Sequence, residues 1–469
     1  MSSIKLFNHH ISFPVALLIL VEATICYLSL FAASTIRFYD LGGIQYAKNE
    51  LLSIQVSGFL VSVLVVLVML AMGLYQAQRR EVIWNVLNRI TTAFIVASLA
   101  LSIIFFMFPD MYFGRGLFIL TLFISFVGIV ITRVIFESWV DKHTMNKKVL
   151  VLGVGDKAEW VNNLRRKSDQ RGISIVGFYN ASSEDVCVDE DRIISTEQSL
   201  DEYVLKNGIE EIIVAMGERR NKFPVKELIN CRLSGVDVVE LPTFLERQMS
   251  RVYVELLDPS WIIFSDGFRQ NTLKSIGTRT FDIFASLLML VATMPLLLAG
   301  AIGIMIESKG KGTLFYKQNR VGQGNKTFEL LKFRSMCENA EAETGAKWAS
   351  ANDSRITRVG KVLRKYRIDE LPQLINILKG EMSLVGPRPE RPEFVSQLSE
   401  KIPFYSERHR VKPGLAGWAQ MRYPYGSTEN DAIEKLKYDL YYVKNRSLIF
   451  NLAILIQTAE IVLWGKGAR

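Results

Sequence analysis

Four long apolar runs open this chain, at roughly 11–34, 51–75, 86–108 and 115–136, and each is long enough to cross a bilayer. In hydrocarbon every backbone polar group needs an internal partner, so runs of this length fold as helices. The first run lacks a cleavage site of small residues and exceeds a signal-peptide core, so it reads as a retained span. Basic residues set the orientation. Arg79 and Arg80 lie between the second and third runs, Arg89 stands at the start of the third, and Lys142, Lys147 and Lys148 follow the fourth. The loop at Pro109-Asp110 is poor in positive charge, so both ends of the bundle face the cytoplasm. Glu22 falls inside the first span, either as a functional carboxylate, near an interface, or against a neighbouring helix.

Charged residues make up 22% of the 469, too many for a pure membrane bundle, so soluble domains must follow. A net charge of +9 suits anionic partners such as lipid headgroups and nucleotide phosphates. Without a zinc finger, a basic recognition helix or an RNA-binding signature, nucleic acid is not the expected partner. Cys26, Cys187, Cys231 and Cys337 are far apart and form no CxxC pair, which reads as reduced, buried thiols in a cytosolic setting.

Residues 147–262 read as an α/β domain. VLVLGVG, DKAEWVNNLRRK and ISIVGFYN give strand, tight turn, helix and strand. Gly153, Gly155 and Ala158 form a G-x-G-x-x-A turn opening a helix, a Rossmann-like start. A second βα rhythm follows in IEEIIVAMG, a helix near 224–234, and VDVVEL. The turn suits a nucleotide phosphate. No acidic ribose ligand follows the second strand and no Tyr-x-x-x-Lys pair accompanies it, so a structural, regulatory or dimerising module is the other reading.

A fifth apolar run, Ile283 to Ile306, is also long enough to span. Lys274 and Arg279 precede it, and Lys309, Lys311 and Lys317 follow it. Basic residues at both ends fit one side of a membrane rather than two. Pro295 in its middle removes a helix hydrogen bond. A helix that enters, kinks at Pro295 and returns meets both conditions, with Ser286 as a candidate partner for the freed carbonyls. A proline-kinked crossing is the alternative.

From Arg279 onward the sequence resembles the polyprenyl-phosphate glycosyl-1-phosphate transferases of the bacterial sugar transferase family. The resemblance rests on TRTFDIFASLL, GTLFYKQNRVGQGNKTFELLKFRSM, RIDELPQLINILKGEMSLVGPRPE, VKPGLAGWAQMRYPYG, KLKYDLYYVKN and a terminal GKGAR. Thr278 and Asn451 depart from the pattern, which commonly has lysine and aspartate there. The implied fold is a membrane protein in three parts: four transmembrane helices over 1–140, the Rossmann-like domain, and a mainly α monotopic catalytic domain over 274–469 with a re-entrant helix at about 280–306.

The implied reaction moves a sugar-1-phosphate from a UDP-sugar to undecaprenyl phosphate, releasing UMP and starting a surface polysaccharide. Two anionic substrates need positive charge, a divalent cation and a nucleophile. By resemblance Asp369 is the nucleophile, Glu370 helps to hold Mg²⁺, and the pair forms the metal site. A helix start at Leu371-Pro372 would keep Asp369 ionised through its dipole. Arg364 is a phosphate ligand by the same resemblance, Arg388 is one because its flanking prolines stiffen the loop for a bidentate grip, and Arg334, Lys332 and Arg320 are further anion contacts. Arg279, Asp282, Ser286 and Pro295 are assigned to polyprenyl phosphate and the membrane. Arg358, Lys361 and Lys365 share a helical face, suited either to phosphate or to anionic lipid. Trp418 is a base-stacking or a packing residue. Tyr438, Tyr441 and Tyr442 read as part of a membrane-surface helix, and the final apolar stretch, about 447–464, as interfacial.

Glucose or galactose is the expected sugar, with glucose favoured by prevalence in the family. The expected location is the bacterial inner membrane, with the soluble domains in the cytoplasm, and a homodimer is compatible with the sequence. Two rivals stand beside this reading, a membrane-tethered nucleotide-sugar dehydratase and a non-catalytic polysaccharide-export scaffold.

Overall fold

The computed structural model describes residues 3–6, 9–37, 51–75, 83–139, 146–164, 172–180, 185–194, 198–217, 223–257, 267–268, 272–337, 355–423, 426 and 428–464. Of the sequence readings, those on Arg79, Arg80, Lys142, Pro424-Tyr425 and the terminal GKGAR lie outside the described residues, as do the side chains of Lys274 and Glu460. The chain divides into two units, Met1–Phe244 and Leu245–Arg469.

The first unit begins with a short antiparallel pair, β1 (Ser3–Leu6) and β2 (His9–Ser12). Four apolar helices follow: α1 (Phe13–Arg37), α2 (Leu51–Ala71), α3 (Ile83–Met107) and α4 (Arg115–Trp139). They coincide with the four apolar runs to within a few residues. Among the described residues, α1, α3 and α4 are long and apolar enough to cross a membrane, and the described side chains of α2 make an apolar stretch over Gln55–Leu70. Leu20, Phe59, Leu99 and Ile119 are exposed, which suits lipid and not water. Glu22 is fully buried and bound by Arg133 of α4, Nε to Oε1 at 2.6 Å and Nη2 to Oε2 at 3.1 Å. Arg133 also donates to the Leu74 carbonyl at 2.6 Å and lies over the Tyr75 ring. The carboxylate therefore ties α1 to α4.

A five-stranded parallel sheet completes this unit: β3 (Lys147–Leu152), β4 (Ile173–Tyr179), β5 (Ile193–Ile194), β6 (Glu211–Val214) and β7 (Asp237–Glu240), in the order β5-β4-β3-β6-β7. Central parallel strands are covered on both faces, which is why β3 and β6 read as unbroken aliphatic runs. Helices α5 (Asp156–Asn162), α6 (Leu200–Asn207) and α7 (Val225–Leu233) link the strands, and α8 (Leu241–Met249) leads onward. Gly153, Gly155 and Ala158 form the turn from β3 into α5. Gly153 has φ +123, and a Cβ there would come within 2.8 Å of the Ala215 carbonyl oxygen, so glycine is required. The helix it introduces is only seven residues long.

The second unit is mostly helical. Its elements are α9 (Thr272–Glu307), the hairpin β8 (Phe315–Val321) and β9 (Thr327–Phe333), α10 (Arg358–Lys365), α11 (Gln373–Lys379), β10 (Ser383–Val385), α12 (Pro392–Lys401), β11 (Gly414–Ala416), α13 (Trp418–Arg422), α14 (Glu429–Asn445) and α15 (Leu448–Trp464). Leu330, Leu374, Ile377, Leu384, Tyr442 and Ile454 centre its core.

α9 is one continuous helix with Pro295 inside it. The expected stretch of non-helical backbone at the proline is absent. Ser286 does not serve it, since its hydroxyl is buried without a partner among the described residues. The donor that proline lacks would have met the carbonyl of Val291, five residues beyond Ser286. The apolar stretch of α9 is only 11% buried. Both ends of α9 are nonetheless fastened to this unit. Near the start, Arg279 donates to the carbonyls of Ile377 and Leu378 at the end of α11, and buried Asp282 accepts the Leu384 N–H at 3.2 Å. At the other end Glu307 accepts the N–H groups of Arg358 and Val359, at 2.7 and 3.1 Å, and so caps α10.

Several sequence readings change here. Of the cysteines read as buried, Cys337 is exposed and Cys187 half-buried. α14 is no surface helix, because it buries Leu436, Leu440, Tyr442 and Val443 in the domain core. The Tyr442 hydroxyl lies 2.9 Å from both the Val385 carbonyl and Asn451 Oδ1, so asparagine at 451 has a packing role. Trp418 packs against Tyr441 and Phe450 and donates its Nε1 to the Ser250 carbonyl at 2.9 Å.

Candidate active site

Asp369 and Glu370 occupy a single 3₁₀ turn, Ile368–Glu370, between α10 and α11. Arg367 enters that turn with φ 57 and ψ 20, a left-handed conformation that costs a non-glycine residue about 1 kcal/mol. It redirects the chain at the end of α10, and both carboxylates become buried, 7% and 8% exposed.

Three cations converge on Glu370 from three places in the chain. Lys332 Nζ is 3.2 Å from Oε1, Arg388 Nη2 is 2.9 Å from the same oxygen, and Arg367 Nη1 is 3.7 Å from Oε2. Lys332 is delivered by β9, and Asn376 of α11 sets the height of that strand. Its Oδ1 accepts the Leu331 N–H at 3.0 Å, and its Nδ2 donates to the Glu329 carbonyl and to Glu381 Oε2, both at 2.7 Å. Lys332 is the next residue, so the amide fully buried at 376 aligns the ammonium with the carboxylate. Arg388 comes from the Gly-Pro-Arg-Pro loop after β10.

These contacts split the two acids. Burial works to raise the Glu370 carboxyl, but Arg388, then Lys332 and Arg367, overcome it and hold the group well below the usual carboxylate range. Asp369 moves the other way. Burial and then the neighbouring Glu370 charge raise it, against weaker pulls from Lys332, Arg364 and Arg367. This corrects the helix-dipole expectation: α11 starts only at Gln373, and desolvation governs Asp369. Burial lowers the Lys332 ammonium, and Glu370 opposes that shift. Asp369 Oδ1 and Arg364 Nη1 are both buried without a hydrogen-bond partner among the described residues.

The structure thus gathers Asp369, Glu370, Lys332, Arg388 and Arg364. Arg320 instead donates to Gln318 Oε1 and, at 3.0 Å, to the Pro389 carbonyl, so it holds the loop that carries Arg388. Arg334 donates to the Lys311 carbonyl at 3.1 Å. Arg279 and Asp282 fasten α9, as described above. The sequence reading counted Arg367 only among the basic residues crowded ahead of the dyad, with Arg355, Arg358, Lys361, Arg364 and Lys365, and missed Asn376. Arg367 had a weak signal, its i,i+3 spacing to Glu370. Asn376 had another, a lone amide within the apolar QLINILK stretch, since a buried polar group there must find partners.

No cluster of three or more His, Cys, Asp or Glu side chains suited to a metal occurs among the described residues. The two carboxylates still fit a hard cation. Mg²⁺ is commonly held by one or two carboxylates plus substrate phosphates, and Asp369 Oδ1 is a buried oxygen lacking a partner.

Fold and site together define a membrane protein whose C-terminal domain buries a carboxylate pair within a ring of cations. Residues 273–465 match the family model described as bacterial sugar transferase, and residues 70–239 match one described as a CoA-binding domain. An N-acetylgalactosaminephosphotransferase acting on undecaprenyl phosphate, from Aeromonas hydrophila, is 42% identical over 242 residues, covering 52% of this chain and 56% of that protein. An undecaprenyl-phosphate glucose phosphotransferase from Komagataeibacter xylinus is 31% identical, covering 69% of this chain and 60% of its own length. An undecaprenyl-phosphate galactose phosphotransferase from Salmonella typhimurium is 30% identical, covering 70% and 71%. The chain therefore spans less than two thirds of the first two of these relatives. It belongs to the bacterial sugar transferase family.

Proposed function

We propose that this chain transfers a sugar-1-phosphate from a UDP-sugar to undecaprenyl phosphate, giving undecaprenyl-diphosphate-sugar and UMP, at the cytoplasmic face of the bacterial inner membrane. The observation that carries this reading is the contrast within the dyad. Glu370 Oε1 is bound by Lys332 and Arg388, while Asp369 beside it keeps a buried oxygen with no partner among the described residues.

Asp369 is the nucleophile. Its carboxylate attacks the sugar-bearing phosphorus, an acyl-phosphate bond forms, and the bond to UMP breaks, with the electron pair leaving on UMP. An oxygen of undecaprenyl phosphate then attacks the same phosphorus and restores the carboxylate. Arg388, Arg364 and Lys332 supply the charge that binds and steadies the phosphates. Asp369 and Glu370 would hold Mg²⁺, which when bound offsets the charge of the donor diphosphate. A carboxyl whose pKa is raised is a stronger nucleophile once ionised, so the electrostatic split favours Asp369 over Glu370 for attack.

α9 is proposed as a re-entrant helix that presents the lipid phosphate. Its exposed apolar surface calls for lipid, while Arg279 and Glu307 bind the same unit at its two ends. A helix crossing the bilayer would separate those ends. Acceptor and dyad then share the interface, which reduces the ordering needed for attack.

The sugar is glucose, galactose or N-acetylgalactosamine, the three named among the relatives. Membranes carrying the chain, given undecaprenyl phosphate and each UDP-sugar, release UMP with one of them. Asp369→Asn abolishes release, and mass spectrometry of the wild type finds a phosphosugar on Asp369. Silence with every UDP-sugar, or near-normal turnover by Asp369→Asn, overturns the reading.

A further inference from the structure

Four successive carbonyls of the loop that carries Arg388 are each bound from outside the loop. The Pro387 carbonyl accepts the Gly414 N–H of β11 at 2.9 Å. The Arg388 carbonyl accepts Arg408 Nη2 at 2.9 Å. The Pro389 carbonyl accepts Arg320 Nη1 at 3.0 Å, and the Glu390 carbonyl accepts the Val321 N–H of β8 at 2.9 Å. Two prolines already stiffen this stretch, so its backbone has little freedom left.

Arg408 stands out among these donors because it is a buried cation. Its Nη2 lies 2.8 Å from Asp439 Oδ2, with the two side chains 5% and 3% exposed, and its Nη1 donates to the Tyr405 hydroxyl at 2.9 Å. One planar fork thus meets a carboxylate, a phenol and a backbone carbonyl, which a lysine ammonium could not reproduce. An apolar pair of like volume would commonly serve stability as well as a buried ion pair. What an apolar pair could not do is donate to the carbonyl of Arg388.

We infer that Arg408, anchored by Asp439 and assisted by Arg320, is a positioning residue that sets the loop so that the Arg388 guanidinium meets the donor's phosphates beside Glu370. The role rests on the reading of Arg388 as a phosphate ligand proposed above. The charged and titratable groups around the anchor are Glu390, Lys435, Tyr405 and Arg408 itself. Burial pushes Asp439 up to about 6 against the pull of Arg408. An anchor that must be ionised therefore weakens in mild acid.

A double-mutant cycle in the full chain tests this. Asp439→Asn and Arg388→Ala are made singly and together. For each, the Kd for UDP and the kcat/KM for the UDP-sugar are measured at a temperature where thermal melts show all four proteins folded. Asp439→Asn is expected to weaken UDP binding about tenfold or more when Arg388 is present, and less than about twofold when it is absent. Arg408→Lys should behave as Asp439→Asn does. Equal losses in both backgrounds, or no loss in either, overturn the inference, because a merely structural role acts regardless of Arg388. If Asp439→Asn does not accumulate as folded protein, Arg320→Gln goes through the same cycle with the same criteria. The UDP-binding arm decides the matter even if no UDP-sugar is turned over, an outcome that would defeat the proposed reaction instead.

Discussion

Asp369 and Glu370 are neighbours in the chain but meet opposite fields. Glu370 draws Lys332, Arg388 and Arg367 around it, whereas for Asp369 burial and the charge of its neighbour outweigh the nearby cations. Lys332 acts on both, lowering each carboxyl. Lys332→Met therefore raises both carboxyls, and the acid limb of the pH–kcat profile moves to higher pH. The activity at neutral pH falls about tenfold or more, since the charge-assisted contact proposed for the substrate phosphates is also lost. A limb that stays in place or moves to lower pH would contradict the assignment. Stability follows a separate sign. The Glu370 pKa is depressed in the folded state, so its contribution is present above its unfolded pKa and is lost as pH falls through the folded one. Asp369 is raised, so its contribution is present at low pH and is lost as pH rises through its folded pKa. The adjacency of the two acids was legible in RIDELPQ. Their electrostatic split was not, because it depends on Lys332 and Arg388, 38 and 18 residues away from Glu370 in the chain.

Among the elements, α9 shows where pattern reading succeeds and where it stops. Its length, apolar character and basic flanks were all visible in the sequence, and so were the four helices before it. Its course through Pro295 was not, because a proline removes one donor without dictating how the neighbouring turns respond. The fastenings at its ends were also hidden. Arg279 finds the last carbonyls of α11, and Glu307 finds the first N–H groups of α10, in each case a charge matched to a helix end. α14 was misread for a similar reason: its tyrosines look interfacial until the core packed against Leu436 and Leu440 is known. If α9 enters and leaves on one side, single cysteines placed at Gly277 and Lys309 in a background without native cysteines react equally with an impermeant maleimide added from the cytoplasmic face. Labelling of the two from opposite faces would make α9 a crossing helix. The dyad's domain would then be split between compartments, contrary to the contacts at both ends.

For the whole molecule, the division of labour is marked by position. Every side chain drawn to the dyad, and every one that braces the Arg388 loop, lies between Arg320 and Asp439, inside the second unit. The sugar transferase model covers 273–465, again within that unit, while the CoA-binding model covers 70–239 in the first. The second unit has its own buried core and keeps α9, so it retains both a packed interior and an apolar helix for the membrane. A domain with its own core can in general fold alone. A fragment spanning Leu245–Arg469 is therefore expected to reach the membrane fraction and to release UMP from the preferred UDP-sugar at a rate within about tenfold of the full chain. The four N-terminal helices and the parallel sheet then act in anchoring, assembly or control rather than in bond making. The comparison needs a fragment shown to be helical by circular dichroism and to sediment with membranes. If such a fragment is silent while the full chain is active, the first unit contributes to the chemistry itself. The buried Asp369 carboxylate and its cation ring would then be necessary but insufficient for transfer.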